Sequence, residues 1–295
     1  SAPMLKSLGD LNHVKAREKM FINYWFRHAW MFIWPLNPSL VLYASLLDIP
    51  LGNLIIKLAP FAFIAFITGT IWIYKSLDFR KDDKEYKNKN TSLIGSVIYL
   101  FNNTWPIFSI IALVLIFRIH LFVALFLVLI IIFVIYSEAR KKCIFVLKKS
   151  FNDGKGTLLV ILGVFIFKDM LEMVKVVEIL PDYFLSMGIS INWILAIVPF
   201  LIALSTGSSI AYLGICVPIF YSFLYGNGDL NLYRMILVFI SGHIGMMVTP
   251  IHLCFAITKD YFDIQLSHFY PLLLKHLLIL AMALPVYSFI VSFSV

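Results

Sequence analysis

Hydroxyl side chains cluster around a glycine in the middle of a long apolar stretch of this sequence. The segment Ser205–Ser209 reads Ser-Thr-Gly-Ser-Ser, and apolar helix-forming residues flank it from Trp193 to Tyr225. A stretch of about thirty residues is too long for a simple membrane span, and its centre is too polar. Because Gly207 permits a tight turn, the pattern favours two half-helices that meet at a tip. A kinked, tightly packed span is the alternative, since glycine and serine also mediate helix contacts in membranes.

A turn of this kind at membrane depth could bind an ion or a polar solute. The half-helix that begins near Ser208 would present free N–H groups and a positive dipole end to an anion. Hydroxyl groups would hydrogen-bond the oxygens of that anion, and carbonyl groups at the opposing helix end could hold Na⁺. The predicted binding residues of the turn are Ser205, Thr206, Gly207, Ser208 and Ser209. We expect no metal and no cofactor, apart from Na⁺ as the candidate coupling ion.

Proline residues interrupt two further apolar segments. Residues 34–38 read WPLNP, in which two prolines remove two backbone donors and expose Asn37. Residues 248–252 read VTPIH and follow an apolar segment that contains two glycines. A pocket formed by these breaks would include Asn37, Thr249 and Pro250. A simple proline kink is the alternative at residues 34–38.

Ionisable residues inside apolar segments are the remaining candidates for chemistry, because burying them in a membrane is costly. His243 lies just before the second break and could couple transport to protons, since histidine titrates near neutral pH. A packed, hydrogen-bonded histidine is the alternative there. Lys168 and Asp169 follow the apolar first half of the segment 157–180. Lys168 can pair with Glu172 one turn away, so a structural ion pair is the alternative to a functional role.

The composition is that of a polytopic helical membrane protein. Of 295 residues, 61% are hydrophobic and only 14% are charged, an apolar content above that of soluble domains. Long apolar runs argue against an outer-membrane barrel. The net charge of +8 falls mainly in short loops between these runs, so it indicates orientation rather than nucleic-acid binding. The cysteines Cys143, Cys216 and Cys254 show neither metal-ligand nor disulfide spacing.

Basic residues predict which ends of the spans face the cytoplasm. The N-terminal end of the chain and the loops 75–90 and 137–155 carry most of the lysines and arginines. We therefore expect these segments to be cytoplasmic and the protein to lie in the cell membrane, inner or plasma, as a multi-pass protein.

The order of the apolar segments predicts an inverted repeat. Residues 1–90 would form the end of a first repeat, with a broken span at 29–47, a span at 54–74 and the loop 75–90. Residues 91–295 would form the second repeat. Its spans are predicted at 93–117, 121–136 and 157–180, followed by a re-entrant hairpin at 193–225, a broken span at 232–262 and a last span at 268–293. The two broken spans are entered from opposite sides of the membrane, an arrangement typical of secondary transporters.

Four segments of the sequence resemble a known family. They are SAPM at 1–4, FINYWFRHAWMFIWPLNP at 21–38, TGSSIAYLGICVPI at 206–219 and GHIGMMVTPIHLCFAITKDYF at 242–262. Along nearly its whole length the chain is similar to the uncharacterised membrane-protein family catalogued as domain of unknown function 401. That family is grouped with the ion transporter superfamily, which includes gluconate, citrate and dicarboxylate permeases. In the family a glycine-rich first hairpin ends in a sequence similar to Ser1–Met4, so we expect the chain to lack the preceding spans and most of that hairpin.

The resemblance implies two inverted repeats, a scaffold domain and a mobile transport domain, with hairpin tips and broken helices around a solute near the membrane midplane. It implies that Ser205–Ser209 form the second hairpin tip and that helix breaks lie at Asn37 and at Val248–His252. The related permeases often carry a Ser-Asn-Thr type of motif at such tips. This tip has no asparagine, so neither their solute nor their cation carries over.

These observations predict a secondary active transporter of the elevator type, not an enzyme, which moves a small anionic, carboxylate-type solute coupled to Na⁺ or H⁺. The expected partners are that solute and the lipid bilayer, with no nucleic acid, and a homodimer is left open. An intramembrane enzyme built from His243, His252, Asp169 and Ser208 is one alternative, although the sequence lacks HExxH, GxSxG and paired-aspartate motifs. A passive channel is the other, since re-entrant segments also form selectivity filters.

Overall fold

The protein is almost entirely helical. The computed structural model describes residues 2–11, 13–77, 93–136, 140–174, 183, 186, 188–226 and 228–292. Within these residues, three segments are long and apolar enough to cross a membrane: Leu51–Ser76, Leu232–Phe262 and Leu266–Tyr287. Large apolar side chains such as Phe63 and Phe126 are exposed, which suits contact with lipid rather than water. The fold is that of an all-α membrane protein, the class that the composition predicts.

The chain divides into two compact units, and the larger one contains residues 1–77 and 160–295. The N-terminal part of this unit has four α-helices and one turn of 3₁₀ helix. They are α1 (Ala2–Leu11), α2 (Ala16–Ala29), the 3₁₀ helix (Trp30–Phe32), α3 (Pro38–Leu46) and α4 (Leu51–Ser76).

The smaller unit contains residues 78–159. In it α5 (Leu93–Leu115) packs against α6 (Leu121–Ile135), and the indole Nε1 of Trp105 donates to the hydroxyl of Tyr136 over 3.3 Å. A long helix, α7 (Cys143–Met173), begins in this unit, and its residues from Val160 on belong to the larger one.

Helix α7 begins earlier than the sequence indicates. A loop is expected at 137–155 and a span only from residue 157, but the chain is helical from Cys143 on. The basic segment therefore forms the first turns of α7; its lysines and leucine have high helix propensity, and Gly154 and Gly156 lie within the helix. Residues 78–90 of the predicted loop 75–90 and residues 175–180 of the predicted span 157–180 lie outside the described residues.

The C-terminal part of the larger unit contains the hydroxyl-rich segment and the last helices. Its helices are α8 (Ile191–Thr206), α9 (Ser209–Ile219), α10 (Tyr221–Leu224), α11 (Leu232–Val248), α12 (Leu253–Phe262) and α13 (Leu266–Ser292). A two-residue strand pair, β1 (Tyr225–Gly226) with β2 (Asp229–Leu230), runs antiparallel before α11.

Three of the breaks between helices in the described part of this unit lie close together in space. The first interruption runs from Ile33 to Asn37, before α3. The second consists of Gly207 and Ser208, between α8 and α9, and the third runs from Thr249 to His252, between α11 and α12. Proline or glycine occupies each of them, because these residues break or redirect a helix.

Helices α8 and α9 pack against α11 where α11 has glycines. A Cβ atom at Gly242 would lie 2.3 Å from the ring of Tyr212 in α9, and one at Gly245 would lie 2.3 Å from the carbonyl oxygen of Phe200 in α8. These glycines are three residues apart, which is about 4.5 Å along a helix. Helices α8 and α9 therefore lie side by side on α11, joined at Gly207.

Buried aromatic residues of α2 and α3 connect these helices to the rest of the unit. The hydroxyl of Tyr24 donates to the carbonyl of Met247 over 3.0 Å, and the hydroxyl of Tyr43 donates to the carbonyl of Met235 over 2.6 Å. Each bond satisfies the one polar group of a buried aromatic ring. They fix α2 against α11 near its interrupted end and α3 against α11 near its start.

Candidate functional site

The three interruptions border a single cavity of about 630 Å³ within the larger unit. Aromatic and thioether side chains form much of its wall, among them Trp30, Trp34 and Met246. The polar residues that line it are Arg27, His28, Asn37, Ser209, His252 and Cys254. A largely apolar cavity with a few convergent polar groups is typical of a small-molecule site.

Asn37 closes the first interruption. Its Oδ1 accepts from the backbone N–H of Ser39 over 3.1 Å, and its Nδ2 donates to the carbonyl of Met31 over 3.1 Å. Asn37 is the N-cap of α3, and Pro38 takes the first helical position, where no backbone donor is needed. The hydroxyl of the buried Ser39 is hydrogen-bonded to that of Ser209, which links the start of α3 to the start of α9.

The Gly207 turn has the backbone that the sequence predicts for it. Gly207 has φ +63°, in the left-handed region, and caps the end of α8. Ser208 caps the start of α9, where its Oγ accepts from the backbone N–H of Ala211 over 3.4 Å. A Cβ atom at position 207 would lie 3.0 Å from the backbone nitrogen of His252. Glycine is therefore required both for the turn and for the close approach of the third interruption.

The third interruption begins at Thr249 and Pro250 and ends at His252. Thr249 is buried and follows α11, whereas Pro250 is exposed. His252 takes the N-cap position of α12, yet its ring does not bond the helix that follows. Instead its Nδ1 donates to the carbonyl of Gly207 over 2.7 Å, which connects the third interruption to the second.

Two histidines from distant parts of the sequence meet at the cavity. Nε2 of His28 in α2 lies 3.0 Å from Nε2 of His252. The other ring nitrogen of His28, Nδ1, donates to the carbonyl of Tyr24 over 2.6 Å. The thiol of Cys254 completes a group of three donor atoms that lie within 4.8 Å of one another.

The structure brings together only part of the predicted site. Asn37 and Ser209 line the cavity, and Gly207 reaches it through His252. The hydroxyls of Ser205 and Thr206 point elsewhere and both donate to the carbonyl of Ile202, over 3.0 and 2.7 Å. Ser208, Thr249 and Pro250 border the turns without lining the cavity.

The predicted coupling residues lie outside the cavity lining. His243 is 1% exposed, and within the described part of the chain neither of its ring nitrogens has a hydrogen-bond partner. It packs between aromatic rings, with its ring centroid 4.5 Å from that of Phe32 and 6.3 Å from that of His28. Lys168 and Asp169 lie on α7, and Asp169 is exposed.

Sequence reasoning missed Arg27, His28 and Cys254 as site residues and considered His252 only for an enzyme. Aromatic residues surround Arg27 and His28 in the sequence, a pattern typical of a membrane interface. His28 and His252 are 224 residues apart, so no spacing rule pairs them. One signal was available: the sequence places both histidines within ten residues of a proline break.

The arrangement suits an anion. Three helices begin at residues on the cavity wall: α3 at Pro38, α9 at Ser209 and α12 just after His252. The start of a helix carries a partial positive charge and free N–H groups. Arg27 adds a full positive charge to the same wall.

Comparisons with known proteins give a family and nothing narrower. No curated protein and no solved structure matches the chain. One family model matches residues 1–291, and the match includes every residue that lines the cavity. The chain belongs to that family, which is described as "Protein of unknown function (DUF401)".

Proposed function

We propose that this protein is a secondary active transporter that carries a small anionic solute of the carboxylate type, coupled to Na⁺ or H⁺. The observation that carries the proposal is the meeting of three helix interruptions at one cavity. Interrupted helices are tolerated at membrane depth only where protein or a water-filled cavity surrounds them. In secondary transporters, such interruptions form the solute and ion sites.

The charges around the cavity support an anion as the solute. Three helix starts and Arg27 supply positive potential. Among the described residues, no aspartate or glutamate lines the cavity to oppose it. The amide of Asn37 and the first backbone N–H groups of α3 are already bonded, so the freer donors for a carboxylate are Arg27 and the backbone at the starts of α9 and α12.

The proposal includes a re-entrant hairpin made of α8 and α9. With 16 and 11 residues, these helices are about 24 and 17 Å long, and neither spans a hydrocarbon core of about 30 Å. Their side-by-side packing on Gly242 and Gly245 favours a hairpin over a single broken span.

The proposal also includes the inverted repeat and the link to the ion transporter superfamily. The order of elements supports the repeat: α2 and α3 flank one interruption and are followed by the 26-residue α4. Helices α11 and α12 flank another and are followed by the 27-residue α13. The basic residues of the N-terminal end and of the segments 75–90 and 137–155 favour the cytoplasmic side for these segments.

A thermal-shift screen of the purified full-length protein tests the solute. Small carboxylates, phosphate and sulfate are compared, each with and without Na⁺ and at two pH values. A ligand that binds the folded state must raise the unfolding temperature. We expect a carboxylate to do so, with a larger effect in the presence of Na⁺ or at lower pH. The active compound is then offered to proteoliposomes, where saturable uptake driven by an ion gradient separates a carrier from a channel.

Gly207→Val tests the role of the turn, with Gly188→Val as the matched control. Both glycines have similar positive φ angles, +63° and +69°, but nothing lies within 4 Å of a Cβ atom at Gly188. Backbone strain of about 1–2 kcal/mol is therefore common to both variants. We expect Gly207→Val to insert normally and to lose uptake, and Gly188→Val to keep it. Normal uptake by Gly207→Val would remove the turn from the transport site.

A further inference from the structure

The facing ring nitrogens of His28 and His252 repel each other when both rings are neutral, unless a proton or a metal ion lies between them. Each Nδ1 contacts a carbonyl oxygen, of Tyr24 in one case and of Gly207 in the other, at 2.6 and 2.7 Å. A carbonyl only accepts, so each Nδ1 carries the ring hydrogen. In neutral rings both Nε2 atoms then present a lone pair, and these atoms are 3.0 Å apart. Two acceptors at this distance repel each other.

A third candidate metal ligand lies beside the two histidines. Cys254 lies two residues after His252 at the start of α12, and its sulfur and one ring nitrogen of each histidine lie within 4.8 Å of one another. Thiolate and imidazole are ligands of borderline and soft transition metals, whereas Na⁺, Mg²⁺ and Ca²⁺ prefer oxygen. These three ligands therefore favour a transition metal over Na⁺, the candidate coupling ion of the transport proposal.

The geometry is close to that of a tetrahedral metal site. Zn–N distances of about 2.0–2.1 Å place two nitrogen ligands about 3.3 Å apart, against 3.0 Å between the two Nε2 atoms. The Cys254 sulfur, now within 4.8 Å of the histidine nitrogens, would move closer to them to enter the first coordination shell. The carbonyls of Tyr24 and Gly207 already orient both rings, as outer partners of metal-bound histidines do.

We propose that His28, His252 and Cys254 bind a transition-metal ion of the Zn²⁺ class, with a fourth coordination position open to the cavity. All three residues line that cavity, which supplies the path of entry. On binding, the thiol of Cys254 releases its proton to solvent, and the metal takes the lone pairs of sulfur and of both nitrogens. Water or an anionic oxygen fills the fourth position, and Arg27 on the same wall favours an anion there.

This site goes beyond the transport proposal and does not depend on it. The metal would join α2 to the third interruption and the start of α12, and the bond from His252 to Gly207 connects this group to the turn between α8 and α9. It would hold α2 and the third interruption together whether or not a solute crosses the membrane.

Metal binding by the purified full-length protein tests the site. The protein is stripped with a chelator, titrated with Zn²⁺, and titrated separately with Co²⁺ as a spectroscopic probe. We expect one tightly bound ion per chain. Bound Co²⁺ should show the visible bands of a tetrahedral site and a near-ultraviolet band from thiolate-to-metal charge transfer.

Cys254→Ser is the decisive variant because it is nearly isosteric, and Cys143→Ser is the matched control. Cys143 lies at the start of α7 and is partly buried. We expect Cys254→Ser to lose the charge-transfer band and to weaken Zn²⁺ binding by about 100-fold or more, whereas Cys143→Ser behaves as wild type. His28→Gln and His252→Gln should weaken binding to a similar extent.

Failure to bind Zn²⁺ in the wild-type protein would overturn the proposal. So would a Co²⁺ spectrum without a thiolate band, or equal binding by Cys254→Ser and Cys143→Ser. These measurements need only folded protein and do not depend on uptake. A negative result for metal binding would therefore leave the transport proposal unaffected. If a histidine variant does not fold, the wild-type spectra and Cys254→Ser still decide.

Discussion

The interruption before α3 is stabilised by hydrogen bonds between Asn37 and nearby backbone groups, whereas the one between α11 and α12 is hydrogen-bonded to distant parts of the chain. At the first, the side chain of Asn37 bonds Met31 and Ser39, both within six residues. At the other, the ring of His252 bonds Gly207 and contacts His28. A break whose own hydrogen bonds are local does not depend on the position of distant helices. A break bonded to distant elements is stable only when those elements are in position, so the second kind can transmit a movement.

The helices that precede these two breaks also differ in how they pack. Helix α2 is held by large aromatic residues, with the hydroxyl of Tyr24 bonded to Met247 and the indole of Trp25 to Ala65, over 3.0 and 2.8 Å. Helix α11 packs through Gly242 against α9 and through Gly245 against α8. The first arrangement tolerates small adjustments of side chains, while the second brings backbones into direct contact and tolerates almost none.

The largest expected effect comes from Gly245→Ala, which tests the backbone contact of α11. Its new Cβ atom would lie 2.3 Å from the carbonyl oxygen of Phe200, so α8 must move or the free energy of unfolding falls by about 3 kcal/mol. Gly163→Ala in α7 is the control, because nothing lies within 4 Å of that position. There the better helix propensity of alanine should raise stability by up to about 1 kcal/mol. Thermal unfolding in detergent should thus shift in opposite directions, and shifts of the same sign would contradict the close packing.

A structural feature can be predicted from the sequence when its physical cause lies in neighbouring residues of the chain. Paired prolines at 34–38 and glycine at 207 act on their own backbone, so the interruptions could be read from residue types alone. Likewise Ser208, a short polar residue before an apolar run, marks the start of α9. The direction in which a helix presents a side chain depends on its neighbours in space. For that reason Ser205 and Thr206, which the sequence assigns to the site, bond their own helix, while His28 faces the cavity.

For the charged residues too, the sequence indicates which are unusual but not which of them line the cavity. Lys168 and Asp169 attract attention in the sequence because they lie within an apolar segment, yet they do not line the cavity. Arg27 looks like an interfacial residue in sequence and lines it. Hydropathy measures depth along a span but not the face of the helix, and only packing decides the face. The predictions of transport, of the coupling ion and of a non-enzymatic role stay predictions.

An intermediate effect is expected for His252→Ala, which removes the bonds between the third interruption and its neighbours. The carbonyl of Gly207 loses its donor, so we expect a loss of about 2 kcal/mol in the free energy of unfolding. The measurement is made with a chelator present, so that it reports the bonds of the protein itself. His268→Ala, at an exposed position, should change stability by less than about 0.5 kcal/mol. Equal stability of the two variants would mean that the third interruption stands alone, as the first does.

The smallest effect is expected for Asn37→Ala, because a locally closed break needs only its cap. The substitution removes the acceptor for the backbone N–H of Ser39 and the donor to Met31, which should cost about 1 kcal/mol, the usual loss for an N-cap. Asn37→Asp keeps the acceptor and should recover most of that loss, since a carboxylate also caps a helix start. Chemical-denaturant unfolding of the three proteins measures both changes. If Asn37→Ala destabilises the protein more than His252→Ala, then the first interruption, rather than the third, is the one on which distant elements depend.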